Sequence, residues 1–252
     1  MLNALYARLC QGYRTGKFPD VEPSLPDRFS GLPQWDVTVC DEACHICADH
    51  CPTGAITRQN GNFSLDTGRC LFCNECANVC PVKALTFSRE YRLAAMHRKN
   101  LIVDGSIRPI DFDADPELRK YCGKSLKIRQ VSAGGCAACE LDFNVLNTLA
   151  WDMGRFGIQV VASPRHADCL LVTGPVSKNM ILALQKTYEA MPKPAWVIAC
   201  GTCAISGGLY ADSPETANGV EDFFKVDLYV PGCPPHPATL LEALVRLMGR
   251  RR

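Results

Sequence analysis

No apolar run in this sequence approaches the length of about eighteen residues that a membrane-spanning helix needs. An excess of charge of either sign is lacking too. The formal net charge is only +1, which excludes the electrostatic footprint of a nucleic-acid binder or an acidic tail. From Met1 to Lys17 there is no long apolar stretch of the kind a secretory leader carries, and Arg8 stands where its centre would fall. These absences lead to the expectation of a cytoplasmic protein that binds no nucleic acid. What is abundant is cysteine, with sixteen in 252 residues. Disulfides are rare in a reducing compartment, so thiols in this number point to metal. With 47% apolar residues, the chain can build real cores for two modest domains.

The densest signal is Cys70-x2-Cys73-x2-Cys76-x3-Cys80-Pro81, the run that bacterial two-cluster ferredoxins use. Upstream lies Cys40-x3-Cys44-x2-Cys47-x3-Cys51-Pro52, and the segments after each Cys-Pro are alike, Thr53-Gly54-Ala55-Ile56 beside Val82-Lys83-Ala84-Leu85. Short spacings let three thiolates wrap one face of a cubane, while the fourth, set off by a proline, turns to the other cluster. On that logic Cys40, Cys44, Cys47 and Cys80 hold one 4Fe–4S cluster, and Cys70, Cys73, Cys76 and Cys51 hold a second. Paired cysteines also bind zinc, which is the rival reading. One departure stands out: three residues, Asp41-Glu42-Ala43, separate the first two cysteines where two are usual. A bulge in the loop would absorb the extra one. His45 and His50 fall in this run and are read as surface residues or as hydrogen-bond donors that tune potential, with ligation as the alternative.

A second constellation lies further on. Three apolar runs end in cysteine motifs: Leu126–Val131 before Gly134-Gly135-Cys136-Ala137-Ala138-Cys139-Glu140, Ala195–Ala199 before Cys200-Gly201-Thr202-Cys203, and Asp227–Val230 before Pro231-Gly232-Cys233-Pro234-Pro235. In an alternating strand–helix fold ligands gather at the carboxyl ends of the strands. Cys136, Cys139, Cys203 and Cys233 would converge there on a third cluster. Cys200 competes with Cys203, which is preferred because Ser206-Gly207-Gly208 follows it and lets main chain approach a bulky group. Thr173-Gly174-Pro175 ends another strand at the same rim. Glu140 has two readings: a carboxylate favoured by the helix dipole, or a proton carrier beside a redox centre. Cys10, Cys122 and Cys169 lack a cysteine at motif spacing and read as ordinary thiols.

Around these motifs the chain divides into four parts. Residues 1–36 comprise a helix, with Leu2, Leu5, Tyr6, Leu9 and Tyr13 on one face, and then an extended strap with Pro19, Pro23, Pro26 and Pro33. The helix either packs on its own protein or docks on a partner subunit or a membrane surface. Residues 37–90 form an α+β ferredoxin-like domain. Residues 91–123 are a charged linker, with a helix from Arg89 to Lys99 and a short strand or hairpin at Leu101–Ile107. Residues 124–252 form an α/β flavodoxin-like domain with a mainly parallel sheet. Its expected strands are Leu126–Val131, Gly157–Val161, Cys169–Val172, Trp196–Ala199 and Asp227–Val230. Its expected helices are Glu140–Trp151, Asn179–Ala190 and Pro237–Met248.

These motifs carry a resemblance. Residues 124–252 resemble the small subunit of membrane-bound, energy-converting nickel–iron hydrogenases of the formate-hydrogenlyase type. They are also similar to the complex I subunit that carries its terminal cluster. The matching segments are Gly135-Cys136-x2-Cys139-Glu140, Gly201–Gly208 and Val230–Pro235. Residues 1–90 resemble the two-cluster ferredoxin subunit of the same assemblies, including the strap and Phe29-Ser30-Gly31. Ala137 and Ala138 between the first two cysteines resemble the hydrogenases, because the complex I subunit sets those cysteines side by side. The resemblance implies a fused electron-transfer subunit with three 4Fe–4S clusters. It also implies a hydrogenase or complex I-like large subunit as partner, a redox donor, and membrane subunits held indirectly. The chain itself would break no substrate bond. It would lie on the inner face of the cell membrane, passing electrons from its N-terminal half toward Cys136 and Cys139.

Overall fold

The computed structural model describes residues 2–12, 14–36, 38–41, 43–59, 62–104, 112 and 116–250. Helix α1 (Leu2–Gln11) places no described side chain in a core, and Leu5, Tyr6 and Leu9 are 61%, 71% and 83% exposed. Packing on its own protein, one of the two expectations for it, is therefore not what the fold shows; Tyr13 lies outside the described residues. The strap then runs without helix or strand to β1 (Pro33–Trp35). Phe18 anchors its start in the main core, and Arg155 holds it by donating to the carbonyls of Gly16 and Phe18 at 2.7 and 2.9 Å.

The first cysteine-rich half is built from short pieces: α2 (Ile46–Asp49), β2 (Ile56–Gln59), β3 (Asn62–Asp66), α3 (Glu75–Asn78) and β4 (Leu85–Phe87). Strand β1 pairs antiparallel with β4, and β2 with β3. A small core of Ala55, Ile56, Phe63, Leu65 and Leu85 is completed by Cys47, Cys70 and Cys76.

The linker departs from expectation. No helix runs from Arg89 to Lys99. Tyr91 is buried, and so are the four consecutive residues Leu93, Ala94, Ala95 and Met96, a run that a one-faced surface helix cannot give. Ala95 instead exchanges backbone hydrogen bonds with Tyr229, at 3.0 and 2.9 Å, and only Arg98–Leu101 turns, as one 3₁₀ stretch. Strand β5 (Ile102–Val103) then joins the edge of β3; the rest of the expected hairpin lies outside the described residues. Helix α4 (Pro116–Cys122), which opens with proline at its first turn, was not expected.

The second half alternates β6 (Leu126–Ser132), α5 (Ala138–Val145), β7 (Ile158–Val160), β8 (Cys169–Thr173), α6 (Lys178–Glu189), β9 (Trp196–Cys200), α7 (Thr202–Ser206), β10 (Leu228–Val230) and α8 (Pro237–Leu247). The five strands lie in the order β10-β9-β8-β6-β7, and every pairing is parallel. Counted from β6 the order is 2-1-3-4-5, and its direction reverses between β6 and β8. Strand β8 is buried throughout because both faces are covered. Cys169 and Leu171 pack with α5 and α8, while Leu170 and Val172 pack with Leu184 of α6 and Ile205 of α7. Each such leucine contributes about 1.5–3 kcal/mol. Helix α5 stops at Val145, six residues short of expectation. The Thr148 hydroxyl bonds back to the Val145 carbonyl at 2.7 Å, and a turn follows.

Candidate metal centres

All sixteen cysteines are free thiols. In the first half the duplicated motif is a duplicated geometry. The Ala55 N–H donates to Cys51 Sγ at 3.2 Å, and the Ala84 N–H donates to Cys80 Sγ at 3.3 Å. Each is preceded by a left-handed residue, Gly54 (φ 57°) or Lys83 (φ 51°), that swings the amide toward the sulfur. Phe72, also left-handed at φ 55°, gives its N–H to Cys70 Sγ at 3.3 Å. Amides aimed at sulfur suit thiolates that share charge with a metal cluster.

The thiols fall into groups. Burial pushes Cys70 up to about 12; the Phe72 amide opposes this, and the charges of Cys76, Cys51 and Cys73 add to it. Burial likewise pushes Cys76 up to about 12, followed by Cys51 of the other run, Cys73 of its own, and then Cys47 of the other run. Cys47 is raised by burial and then by Cys40, with Cys44 adding a smaller push. Thiols like these give up their protons only when a cation takes the proton's place. Cys80 is half-buried at the end of the second run. His45 is exposed, and the exposed His50 ring bonds to the Ile46 carbonyl of its own helix at 2.9 Å.

The extra residue of the first loop is taken up by a turn. Asp41 Oδ1 accepts from the Ala43 N–H at 2.9 Å, and its carbonyl accepts from the Cys44 N–H at 3.1 Å; Glu42 lies outside the described residues. Sequence reasoning missed Arg58 on β2. Its Nη1 donates to the carbonyls of Asp41 and Cys44 at 2.9 and 2.5 Å and to Cys40 Sγ at 3.4 Å. A lone arginine in a strand carries no motif, so nothing in the sequence marked it.

In the second half the carboxyl ends of β6, β9 and β10 deliver Cys136 and Cys139, Cys203, and Cys233 to one rim. Cys203 is pushed up to about 12, first by burial and then by Cys233, Cys139 and Cys136. Burial raises Cys233 also, followed by Cys139, Cys136 and then Cys73 of the first half. Gly201 shows why no side chain is possible there: at φ 88°, a Cβ would stand 2.5 Å from Cys139 Sγ. Cys200 sits behind the rim, fully buried, with its thiol hydrogen-bonded to Cys139 and pushed up by that bond and by burial. Glu140 opens α5. Burial raises it, but the Ser132 and Thr173 hydroxyls outweigh that and hold it below the ordinary carboxylate range; the Thr173 bond is 2.6 Å.

The two halves meet at these sulfurs. Thr202, one residue before Cys203, donates its hydroxyl to the Cys70 carbonyl at 2.8 Å, and Ser206 donates to the Gly68 carbonyl at 3.0 Å. Phe29 of the strap packs edge-on against His236, which follows Cys233 by three residues, and Asn74 donates to Ser30 at 2.8 Å. Among the described residues, no three His, Cys, Asp or Glu side chains close on a point that one metal ion could occupy. The thiols are within electrostatic reach of one another without sharing a single-ion site.

Residues 136–247 match the family model described as NADH ubiquinone oxidoreductase, 20 Kd subunit. Residues 39–84 match the 4Fe-4S dicluster domain. An NADH-quinone oxidoreductase subunit from Geobacter metallireducens is 42% identical over 116 residues, covering 46% of this chain and 68% of that protein. A probable membrane-bound hydrogenase subunit, mbhJ of Pyrococcus furiosus, is 40% identical over 129 residues, covering 51% of this chain and 77% of that one. Among solved structures, a chain of the membrane-bound sulfane sulfur reductase, an archaeal respiratory membrane complex, is 33% identical. It aligns over 54% of this chain and 75% of its own at a TM-score of 0.46, too partial a likeness to carry structural weight. The chain therefore belongs to the family of the NADH ubiquinone oxidoreductase 20 kDa subunit, with a 4Fe-4S dicluster domain fused ahead of it.

Proposed function

We propose that this chain is the electron-transfer subunit of a membrane-associated oxidoreductase and carries three 4Fe–4S clusters. Cys40, Cys44, Cys47 and Cys80 would hold the one furthest from the family domain. Cys70, Cys73, Cys76 and Cys51 would hold the middle one, and Cys136, Cys139, Cys203 and Cys233 the last. On this reading residues 37–90 are a ferredoxin-like domain, residues 91–123 a linker and residues 124–252 the family domain. When bound, the clusters supply one-electron storage; the chain's own residues space, seal and dock them. The observation that carries this order is the Thr202 hydroxyl on the Cys70 carbonyl, which sets the middle group of thiols directly against the helix bearing Cys203. The charge that Cys73 exerts on Cys233 supports the same adjacency.

The donor set fits cubanes better than zinc. Two cysteine runs each closed by Cys-Pro, with main-chain amides on the Cys51, Cys70 and Cys80 sulfurs, suit bridged clusters. A carboxylate held ionised, as Glu140 is, is a poor proton store at neutral pH, so its role is to fix the entry of α5 between Ser132 and Thr173.

The destination of the electrons is the large subunit of an energy-converting nickel–iron hydrogenase. Ala137 and Ala138 between the first two cysteines, and the longer match to the Pyrococcus furiosus hydrogenase subunit, support this. A complex I-like or nickel-free relative feeding quinone or another acceptor is the second reading, supported by the match to the Geobacter metallireducens protein. Electrons would enter the N-terminal half from a donor protein or subunit. Among the described residues no helix is long and apolar enough to cross a membrane, and membrane subunits would be reached through partners, with the exposed face of α1 as a docking element. Anaerobic purification followed by iron, sulfide, zinc and nickel analysis tests the reading. About twelve iron and twelve sulfide per chain are expected, with nickel in the companion subunit. Colourless, zinc-only protein would reject the clusters, and a brown complex without nickel would select the second destination.

A further inference from the structure

The step from Cys40 to Cys44 is one residue longer than the step from Cys70 to Cys73. Arg58 reaches into this loop from β2. One guanidinium nitrogen ties the Asp41 and Cys44 carbonyls together and touches Cys40 Sγ. It bonds to two carbonyls and a thiol rather than to a carboxylate, and its Nε is buried without a hydrogen bond. The second run has no such cation: the residue that aligns with Arg58, two places after the start of the strand, is Phe87. The asymmetry is therefore confined to the loop with the extra residue.

We propose that Arg58 is a positioning residue for the cluster assigned to Cys40, Cys44, Cys47 and Cys80. It closes the long loop so that Cys40 can ligate, and its fixed positive charge raises the reduction potential of that cluster alone. Reduction adds one negative charge, and a cation within hydrogen-bond reach of a ligand sulfur favours the reduced state. This inference rests on the three-cluster reading.

The test is redox titration of the whole protein, followed by paramagnetic resonance, with Arg58→Gln and Arg58→Lys beside the wild type. Arg58→Gln is expected to make reduction of one cluster about tenfold less favourable, equivalent to about 59 mV for one electron, and to leave the other two potentials in place. Arg58→Lys keeps the charge and should recover most of that potential. Loss of about four iron per chain in Arg58→Gln, with two clusters unchanged, would equally support the loop-closing role. Three unshifted potentials in both variants, a shift shared by all clusters, or loss of every cluster would overturn it. Wild-type protein without two clusters in its N-terminal half would instead reject the underlying reading, so the two failures are distinguishable.

Discussion

On the three-cluster proposal, replacing Gly201 by alanine should remove the last cluster and leave the other two in place. Two effects combine at this position. Backbone at φ 88° and ψ 155° is a region that only glycine visits freely, and forcing a side chain there costs about 1–3 kcal/mol. The new methyl would also lie 2.5 Å from Cys139 Sγ. Non-bonded carbon atoms settle at about 3.5–4.0 Å, and sulfur is larger, so that sulfur must retreat by about 1 Å. Metal–ligand distances hold to within about 0.2 Å, so in the proposed assignment a displaced Cys139 would no longer ligate. Iron should fall from about twelve to about eight per chain, with one resonance signal lost. Gly54→Ala is the control: it adds left-handed strain at φ 57° but meets nothing within 4 Å, and it should keep every cluster. Full iron in Gly201→Ala would refute the reasoning, because contact with the sulfur would then not decide occupancy.

Cys203→Ala should also remove one cluster, whereas Cys200→Ala, acting behind the rim, should leave iron content unchanged; iron analysis of both variants decides which thiol ligates. Thr202→Val keeps the shape but strips the Cys70 carbonyl of its hydroxyl donor. A loss of about 1–3 kcal/mol is expected, read as a lower unfolding temperature with full iron. His236 gives a pH test. Burial lowers its pKa below the ordinary value, and its Nδ1 accepts the Ala238 N–H at 3.1 Å. The unfolded chain therefore takes up this proton more readily, so its contribution is complete above about pH 6.5 and is lost as pH falls from there toward the lowered folded value. Thermal unfolding at about pH 7.5 and 5.5 should show a larger drop for the wild type than for His236→Asn.

Much of the second half could be read in the sequence because periodicity and chemistry agreed there. Five apolar runs became five strands, each displaced by a residue or so, and the cysteines after three of them stand on one rim. The first half was legible as motif more than as structure, since its helices and strands are only three to five residues long and hydrophobic periodicity has little to act on. The linker misled for a physical reason. The apolar residues Tyr91 and Leu93 to Met96, with charge around them, look helical in composition, yet all five are buried, and Ala95 bonds to a strand more than a hundred residues away. Arg58 and Thr202 were invisible for the same kind of reason, because each matters through a partner distant in the chain: fourteen to eighteen residues for the one, and 132 for the other.

That bond between Ala95 and Tyr229 has an outcome for assembly. A parallel sheet normally leaves two open flanks, each a template on which a foreign strand can grow. Here one flank, along β10, is sealed by the polypeptide that joins the two halves, so lateral recruitment is left to the β7 side. Tethering also makes the meeting of the halves intramolecular, at an effective concentration in the millimolar range. A handful of hydroxyl–carbonyl bonds can then hold a junction that two separate chains would need a far broader surface to keep.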